Sequence, residues 1–301
     1  MTMKPNVDKL TMKDLKTEDP RWCTGCGDYS ILVGLRKLMV QYQMDPVNTV
    51  NISGIGCSGR MPHYMNTYGF HTIHGRSIPI TLGLALARPE LNLFVHSGDG
   101  DSLSIGGNHL IHGISKNFNC VYLMYDNQIY GLTKNQTSPT SQKGLATMTQ
   151  PSGGFLEPIN PVTFALGLGV SFVASTAEWL PKHFLETLDL AFQHKGFSFI
   201  HIAQRCPKYN PDAWDFKNAG WMTFMKSENG IEPDAKALAT ASVVDHDPTN
   251  LKDAFENAEN VPNRFGLFYR SEKATYDGVL LDSLKNTKKK DRSSVLDAFS
   301  I

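Results

Sequence analysis

The sequence predicts an α/β fold: a mostly parallel, twisted sheet with helices on both faces, an N-terminal arm and an irregular C-terminal extension. Three observations carry this. Short apolar runs at Thr49–Ile52, Leu93–His96, Cys120–Tyr125, Val170–Ala174 and Phe197–Ala203 alternate with helical patterns, the rhythm of βαβ units. The stretch Phe94–Thr133 reads as strand, glycine turn, helix (about Ser102–Lys116), strand and turn, and a right-handed crossover lays its two strands parallel. A chain of 301 residues can bury a substantial core, as one large α/β domain or as one domain with an appendage. The expected organisation is an arm over 1–20, a core over 21–210 and an extension or cover over 211–301.

Composition narrows the class. Lys plus Arg and Asp plus Glu both number 29, so no net charge favours a nucleic-acid partner. No apolar run is long enough to span a membrane and the N-terminus lacks a signal-peptide pattern, so no membrane partner is expected. Five cysteines with one CxxC suit a reducing cytoplasm and metal or redox use rather than a disulfide scaffold.

In chain order, the polar arm with Pro5 and Pro20 reads as a solvated tail or a wrap for a partner. Cys23-Thr-Gly-Cys26 precedes a helical pattern through Ile31, Leu32, Leu35, Leu38 and Met39, with Asp28 as candidate cap. A CxxC before a helix has three readings: redox pair, zinc half-site or iron–sulfur half-site. No strand of thioredoxin type precedes it, and no second CxxC exists. Iron–sulfur clusters take four thiolates. Cys57 and Cys206 both fall in strand-end loops, whereas Cys120 starts a buried strand and reads as a small core residue. Ser77–Ala87 reads as a helix on the sheet.

The first strand of the central stretch ends in Gly98-Asp99-Gly100-Asp101 and the second in Asp126-Asn127. Parallel pairing places Asp99 and Asn127 side by side at carboxyl strand ends, where open α/β sheets bind ligands. Mg²⁺ takes hard oxygen ligands and binds one or two side chains plus phosphate oxygens; Asp99 supplies a charged ligand and Asn127 a neutral one. Gly98 and Gly100 let backbone N–H groups approach phosphate. Residues 137–161 read as a long active-site or interface loop. Further on, Pro161–Gly167, Ala177–His194 and Pro248–Ala258 read as helices and Phe265–Tyr269 as a short strand. Trp214, Trp221 and Phe224 read as a docking surface or as local packing, and Lys288–Arg292 as a solvated charged face.

Together with WCTGCGDYSI (22–31), GIGCSGR (54–60), HTIHGR (71–76), YDNQIYGLT (125–133), QTSPT (136–140) and FGLFYR (265–270), the GDG-to-Asn pattern resembles the thiamine diphosphate-binding β subunit of 2-oxoacid:ferredoxin oxidoreductases. The resemblance covers most of the chain. It implies a thiamine diphosphate-binding fold and one [4Fe–4S] cluster on Cys23, Cys26, Cys57 and Cys206. It implies a cofactor pocket built from Ile55, Gly56, Cys57, Ser58, His74, Gly98, Asp99, Gly100, Asp101, Asn127, Tyr130, Gly131, Leu132 and Thr133. The Ile129 carbonyl joins Asp99 and Asn127 on Mg²⁺, Arg60 meets the substrate carboxylate, and His74 touches the cofactor. The implied reaction is reversible, coenzyme A-dependent oxidative decarboxylation of a 2-oxoacid to an acyl-CoA and CO₂, with electrons leaving singly through the cluster to ferredoxin. An α subunit supplies the glutamate that activates the pyrimidine, in an α2β2 assembly. Leu132-Thr133-Lys134 resembles the 2-oxoglutarate branch, and Asn135 replaces a glycine common in pyruvate-type relatives. The competing readings are a pyruvate enzyme, a non-redox thiamine diphosphate decarboxylase and a zinc-stapled, non-enzymatic module.

Overall fold

The computed structural model describes residues 9–285, so the charged run Lys288–Arg292 lies outside the described residues. Helix α1 (Asp28–Gln41) is followed by β1 (Thr49–Ser53), the single turn α2 (Met61–Tyr64), β2 (Tyr68–His71), α3 (Ser77–Ala87) and β3 (Asn92–Gly98). A π-helical turn (Asp101–Ile105) leads into α4 (Gly107–Lys116) and β4 (Cys120–Asp126). After a long loop come α5 (Pro161–Gly167), β5 (Phe172–Ala177), α6 (Pro181–Gln193) and β6 (Phe197–Ala203). The remainder adds β7 (Thr223–Lys226), β8 (Ser242–Asp245), α7 (Leu251–Ala258), β9 (Arg264–Arg270) and α8 (Tyr276–Lys285).

The strands form one sheet in the order β2-β1-β3-β4-β6-β5-β9-β7-β8. The first six are parallel; β9 pairs antiparallel with β5, and β7 and β8 run parallel to β9. Every residue of β4 and of β6 is buried, which is why these runs are continuously apolar in the sequence. Their side chains still alternate. Val121, Leu123 and Tyr125 face a core shared with α1 and α6, while Tyr122 and Met124 face one shared with α3, α4, α5 and α7.

Order reverses between β1 and β3. The chain leaves β1 towards β2 on one side and leaves β3 towards β4 on the other, so the two following loops diverge and open a crevice at the carboxyl edge. The register Gly98↔Tyr125 and Asp126↔Ala203 brings the ends of β3, β4 and β6 level there.

Several local expectations change. The helix read over Ser102–Lys116 is two pieces, a π turn and α4. Residues 9–20 are no free tail: Leu10 and Leu15 are buried, the Leu10 amide donates to Gln43 Oε1, and Lys16 bridges to Met65. The segment after 210 has irregular stretches, yet it also contributes three strands, because β9 completes the exposed edge of β5. Trp214, Trp221 and Phe224 pack with Phe265 in a third core beneath that segment rather than forming a docking surface. Each such aromatic stabilises the fold by roughly 1.5–3 kcal/mol when fully buried.

Candidate functional site

Asp101 organises the crevice. Its carboxylate is 3% exposed, and Oδ1 accepts from the Ile55 amide at 3.0 Å and the Gly75 amide at 2.7 Å. His74 Nδ1 lies 2.5 Å from the same oxygen, and the Ser97 hydroxyl donates to Oδ2 at 2.5 Å. One side chain thus latches the loop after β1, the His74-Gly75 turn and the end of β3. A Cβ on Gly54 would lie 1.8 Å from Asp101 Oδ2, so only glycine fits there. The contact with Asp101 occupies His74 Nδ1 and leaves Nε2 as the ring nitrogen not engaged by that carboxylate.

These elements enclose a cavity of about 80 Å³. The loop after β1 contributes Ile55, Gly56, Cys57 and Ser58; the end of β3 contributes Gly98, Asp99, Gly100 and Asp101. The loop after β4 contributes Asn127, Ile129, Tyr130, Gly131, Leu132 and Thr133, and His74 closes one side. All the residues assigned to the cofactor pocket from sequence therefore line one cavity. Tyr125 and Gln204 line it too and were not foreseen. Gly100 has a different reason from the expected phosphate approach. Its backbone is right-handed helical, and a Cβ would lie 2.1 Å from the Tyr130 ring, whose hydroxyl donates to the Gly100 carbonyl at 3.2 Å.

Asp99 is 2% exposed and lies close to a second carboxylate. Thr140 Oγ1 is 2.7 Å from Asp99 Oδ2 and 2.7 Å from Asp126 Oδ1. One hydroxyl proton cannot serve two carboxylates. Burial, and then the charge of Asp126, push the Asp99 carboxyl up to about 7. A proton on Asp99, or a cation bound beside it, would relieve the two carboxylates. Asn127 Oδ1 accepts from the Ile129 amide at 3.2 Å, and its Nδ2 donates to Gln204 Oε1 at 2.9 Å. Behind Asp126, His201 Nε2 lies 2.9 Å from Oδ2 and Nδ1 lies 2.9 Å from Ser175 Oγ, which holds the second carboxylate in place. Thr140 lies in the QTSPT block; its position 41 residues from Asp99 hid this contact.

Next to this pocket a second cavity, of about 130 Å³, is lined by Cys23, Cys26, Cys57 and Cys206. Cys57, Asn127, Gly131 and Leu132 belong to both cavities and form the wall between them. A Cβ built on Gly131 would lie 3.4 Å from Cys206 Sγ and 4.0 Å from Cys57 Sγ, which shows how closely the two thiols approach that wall. All five cysteines are free, and Cys120 lies in the core on β4 as expected. Burial first, then the charge of Asp28, pushes the Cys57 thiol up to about 12; Cys26 rises for the same reasons and Cys206 mainly through burial. Burial alone therefore keeps these thiols protonated, and they would become ligands only by giving up their protons to a bound metal. Asp28 is not the expected helix cap. It is fully buried, accepts from Cys26 Sγ at 3.2 Å, leaves Oδ1 unpartnered, and is pushed up to about 7 by burial.

Arg60 ends the turn Ser58–Arg60 and lines the cysteine cavity with Arg21. Its guanidinium lies 5.8 Å from the centroid of the Tyr64 ring. Lys134 and Asn135 both have left-handed backbone, with φ of 72° and 61°. Asparagine is, after glycine, the residue that tolerates this left-handed backbone most readily.

Comparison with known proteins follows the same lines. Residues 54–202 match the family model described as thiamine pyrophosphate enzyme, C-terminal TPP binding domain. The chain is 48% identical to 2-oxoglutarate oxidoreductase subunit KorB of Mycobacterium tuberculosis over 66% of its own length and 53% of that protein. It is 38% identical to the β subunit of 2-oxoacid:ferredoxin oxidoreductase 2 of Aeropyrum pernix, over 73% of this chain and 72% of the relative. The matched region thus spans little more than half of the first relative's length. A solved structure of 2-oxoglutarate:ferredoxin oxidoreductase from Magnetococcus marinus, with 2-oxoglutarate, coenzyme A and succinyl-CoA bound, superposes with a TM-score of 0.86. It shares 33% identity, over 99% of this chain and 98% of that one. Fold, crevice and sequence agree: the chain belongs to the β-subunit family of the 2-oxoacid:ferredoxin oxidoreductases.

Proposed function

We propose that this chain is the cofactor-carrying subunit of a 2-oxoglutarate:ferredoxin oxidoreductase, forming succinyl-CoA and CO₂ reversibly. The single observation that carries the reading is the shared wall of Cys57, Asn127, Gly131 and Leu132 between the pocket at the Gly98–Asp101 turn and a cavity lined by four cysteines. Thiamine diphosphate, when bound, would supply carbanion chemistry for a 2-oxoacid, and a [4Fe–4S] cluster would supply one-electron capacity.

The residues of the chain have assignable tasks. Asp99, Asn127 and the Ile129 carbonyl, a donor set of hard oxygens, would hold Mg²⁺. Asp101 holds His74 through Nδ1, which leaves Nε2 available to a bound cofactor. Cys23, Cys26, Cys57 and Cys206, which line the adjoining cavity, would hold the cluster. Arg60, and Arg21 beside it, offer cationic heads to a substrate carboxylate or to the cluster's negative charge. The β-subunit naming of the relatives supports completion of the site by an α subunit, in an α2β2 assembly that passes electrons to ferredoxin. The model for the substrate is the bound 2-oxoglutarate, coenzyme A and succinyl-CoA of the Magnetococcus marinus structure.

The test is an anaerobic co-purification with the α subunit. Near four irons and four sulfides per chain, with 2-oxoglutarate preferred over pyruvate in CoA-dependent ferredoxin reduction, is the expected result. Cys206→Ser should abolish acceptor reduction and spare thiamine diphosphate binding. Zinc without iron, or unchanged ferredoxin reduction in Cys206→Ser, overturns the reading.

A further inference from the structure

Resting on that reading, we infer that Gln204 is a positioning residue that ties the two cofactor sites together: its carbonyl oxygen orients the Asn127 amide, and its NH₂ donates a hydrogen bond to the Cys26 sulfur and raises the cluster's reduction potential. Gln204 follows β6 by one position and is 1% exposed. Its Oε1 accepts from Asn127 Nδ2 at 2.9 Å and its Nε2 reaches Cys26 Sγ at 3.5 Å.

The direction of this amide is forced. Asn127 Oδ1 accepts from the Ile129 amide, so Asn127 presents its NH₂ to Gln204. Gln204 must then present oxygen to Asn127 and nitrogen to the sulfur. Its backbone is equally constrained: the Gln204 amide donates to the Asp126 carbonyl at 2.9 Å, and the Gly27 amide to the Arg205 carbonyl at 3.2 Å. A Cβ on Gly27 would lie 2.7 Å from Glu178 Cγ and 2.8 Å from Gln204 Cγ, so glycine at this turn leaves room for both side chains. The bidentate pair between Arg205 and the buried Glu178 anchors the next residue. Hydrogen bonds to cluster sulfurs stabilise the more negative, reduced state, which is one of the levers that set the potential.

The experiment uses the holo-complex and two readouts beside turnover. In Gln204→Met, which fills the space without donor or acceptor, iron should stay near wild type. The midpoint potential should fall by about a tenfold shift in the reduction equilibrium, which is about 59 mV for one electron. The dissociation constant for thiamine diphosphate with Mg²⁺ should rise about threefold to tenfold. Wild-type complex carrying ¹⁵N-glutamine provides an independent readout that needs no variant: pulse EPR of the reduced cluster should show a side-chain ¹⁵N coupling. An unchanged potential in a fully loaded Gln204→Met complex, or no ¹⁵N coupling in the wild type, overturns the inference. A wild-type complex without iron overturns instead the reading on which it rests.

Discussion

Replacing Asp101 by alanine should cost far more than replacing a surface carboxylate, and once it is replaced a further Gly54→Ala should add little. The carboxylate accepts from the Ile55 and Gly75 amides, from Ser97 and from His74 Nδ1. Each buried donor left without an acceptor costs about 1–3 kcal/mol. Two amides and a hydroxyl, with some relaxation, give a loss of about 3–5 kcal/mol for Asp101→Ala. Gly54→Ala alone forces a methyl group to 1.8 Å from Oδ2 and should cost about 1–3 kcal/mol or more. In the double variant the carboxylate is gone and the methyl group enters the space it left. The double loss should therefore resemble that of Asp101→Ala alone, with a coupling energy of about 1–3 kcal/mol. Urea unfolding of the four proteins measures the cycle, and hydrogen exchange at Ile55 and Gly75 reports whether the latch opens locally. Additive losses, or an Asp101→Ala cost below about 1 kcal/mol, would refute the latch.

Two further outcomes can be checked on the same chain. His96 is fully buried between Asn51 and Tyr125, and burial pushes its imidazole down to about 3. Its folded value lies below the unfolded one, so its contribution is complete above pH 6.5 and is lost as pH falls towards 3, about 2 kcal/mol by pH 5. Asp28 and Asp99, pushed up to about 7, act in the opposite sense over that window, so the comparison is of slopes with and without His96. His96→Gln should lose stability less steeply than wild type between pH 7 and 5 in urea titrations; parallel slopes would refute the assignment. At the left-handed pair, Asn135→Val should cost about 1–2 kcal/mol and Lys134→Gly should be neutral or stabilise by up to about 1 kcal/mol, read as melting temperatures. A tolerated valine would contradict the backbone conformation there.

Much of the site is local in sequence. The GDG turn, Asn127 and the strand-end cysteines are legible because a parallel sheet places every such loop on one edge, and the alternation of apolar runs with helices already implies that sheet. Asp99, Asn127, Cys57 and Cys206 therefore meet as the βαβ rhythm requires. What stayed hidden depends on contacts between segments far apart in the chain. Thr140 reaches Asp99 across the long loop after β4, and Gln204 joins Asn127 to Cys26 across separations of 77 and 178 residues. A polar residue at a strand end is unremarkable until its partners are known. The same holds for Asp28, which the helix pattern made a cap and the packing made a buried neighbour of Cys26.

The C-terminal part shows the division most clearly. Its sequence determined one short β-prone run, Phe265–Tyr269, and a helix near Pro248–Ala258, because those depend on propensity and capping, and Asn250 does cap α7 through the Lys252 and Asp253 amides. Strands β7 and β8, and the way the segment extends the sheet, were decided only in three dimensions. Strand β5 would otherwise expose an unpaired edge, and β9 satisfies it antiparallel while carrying β7 and β8 beside it. Patterning determines which residues are buried, but the choice among partners for an open edge is made by the whole assembled sheet.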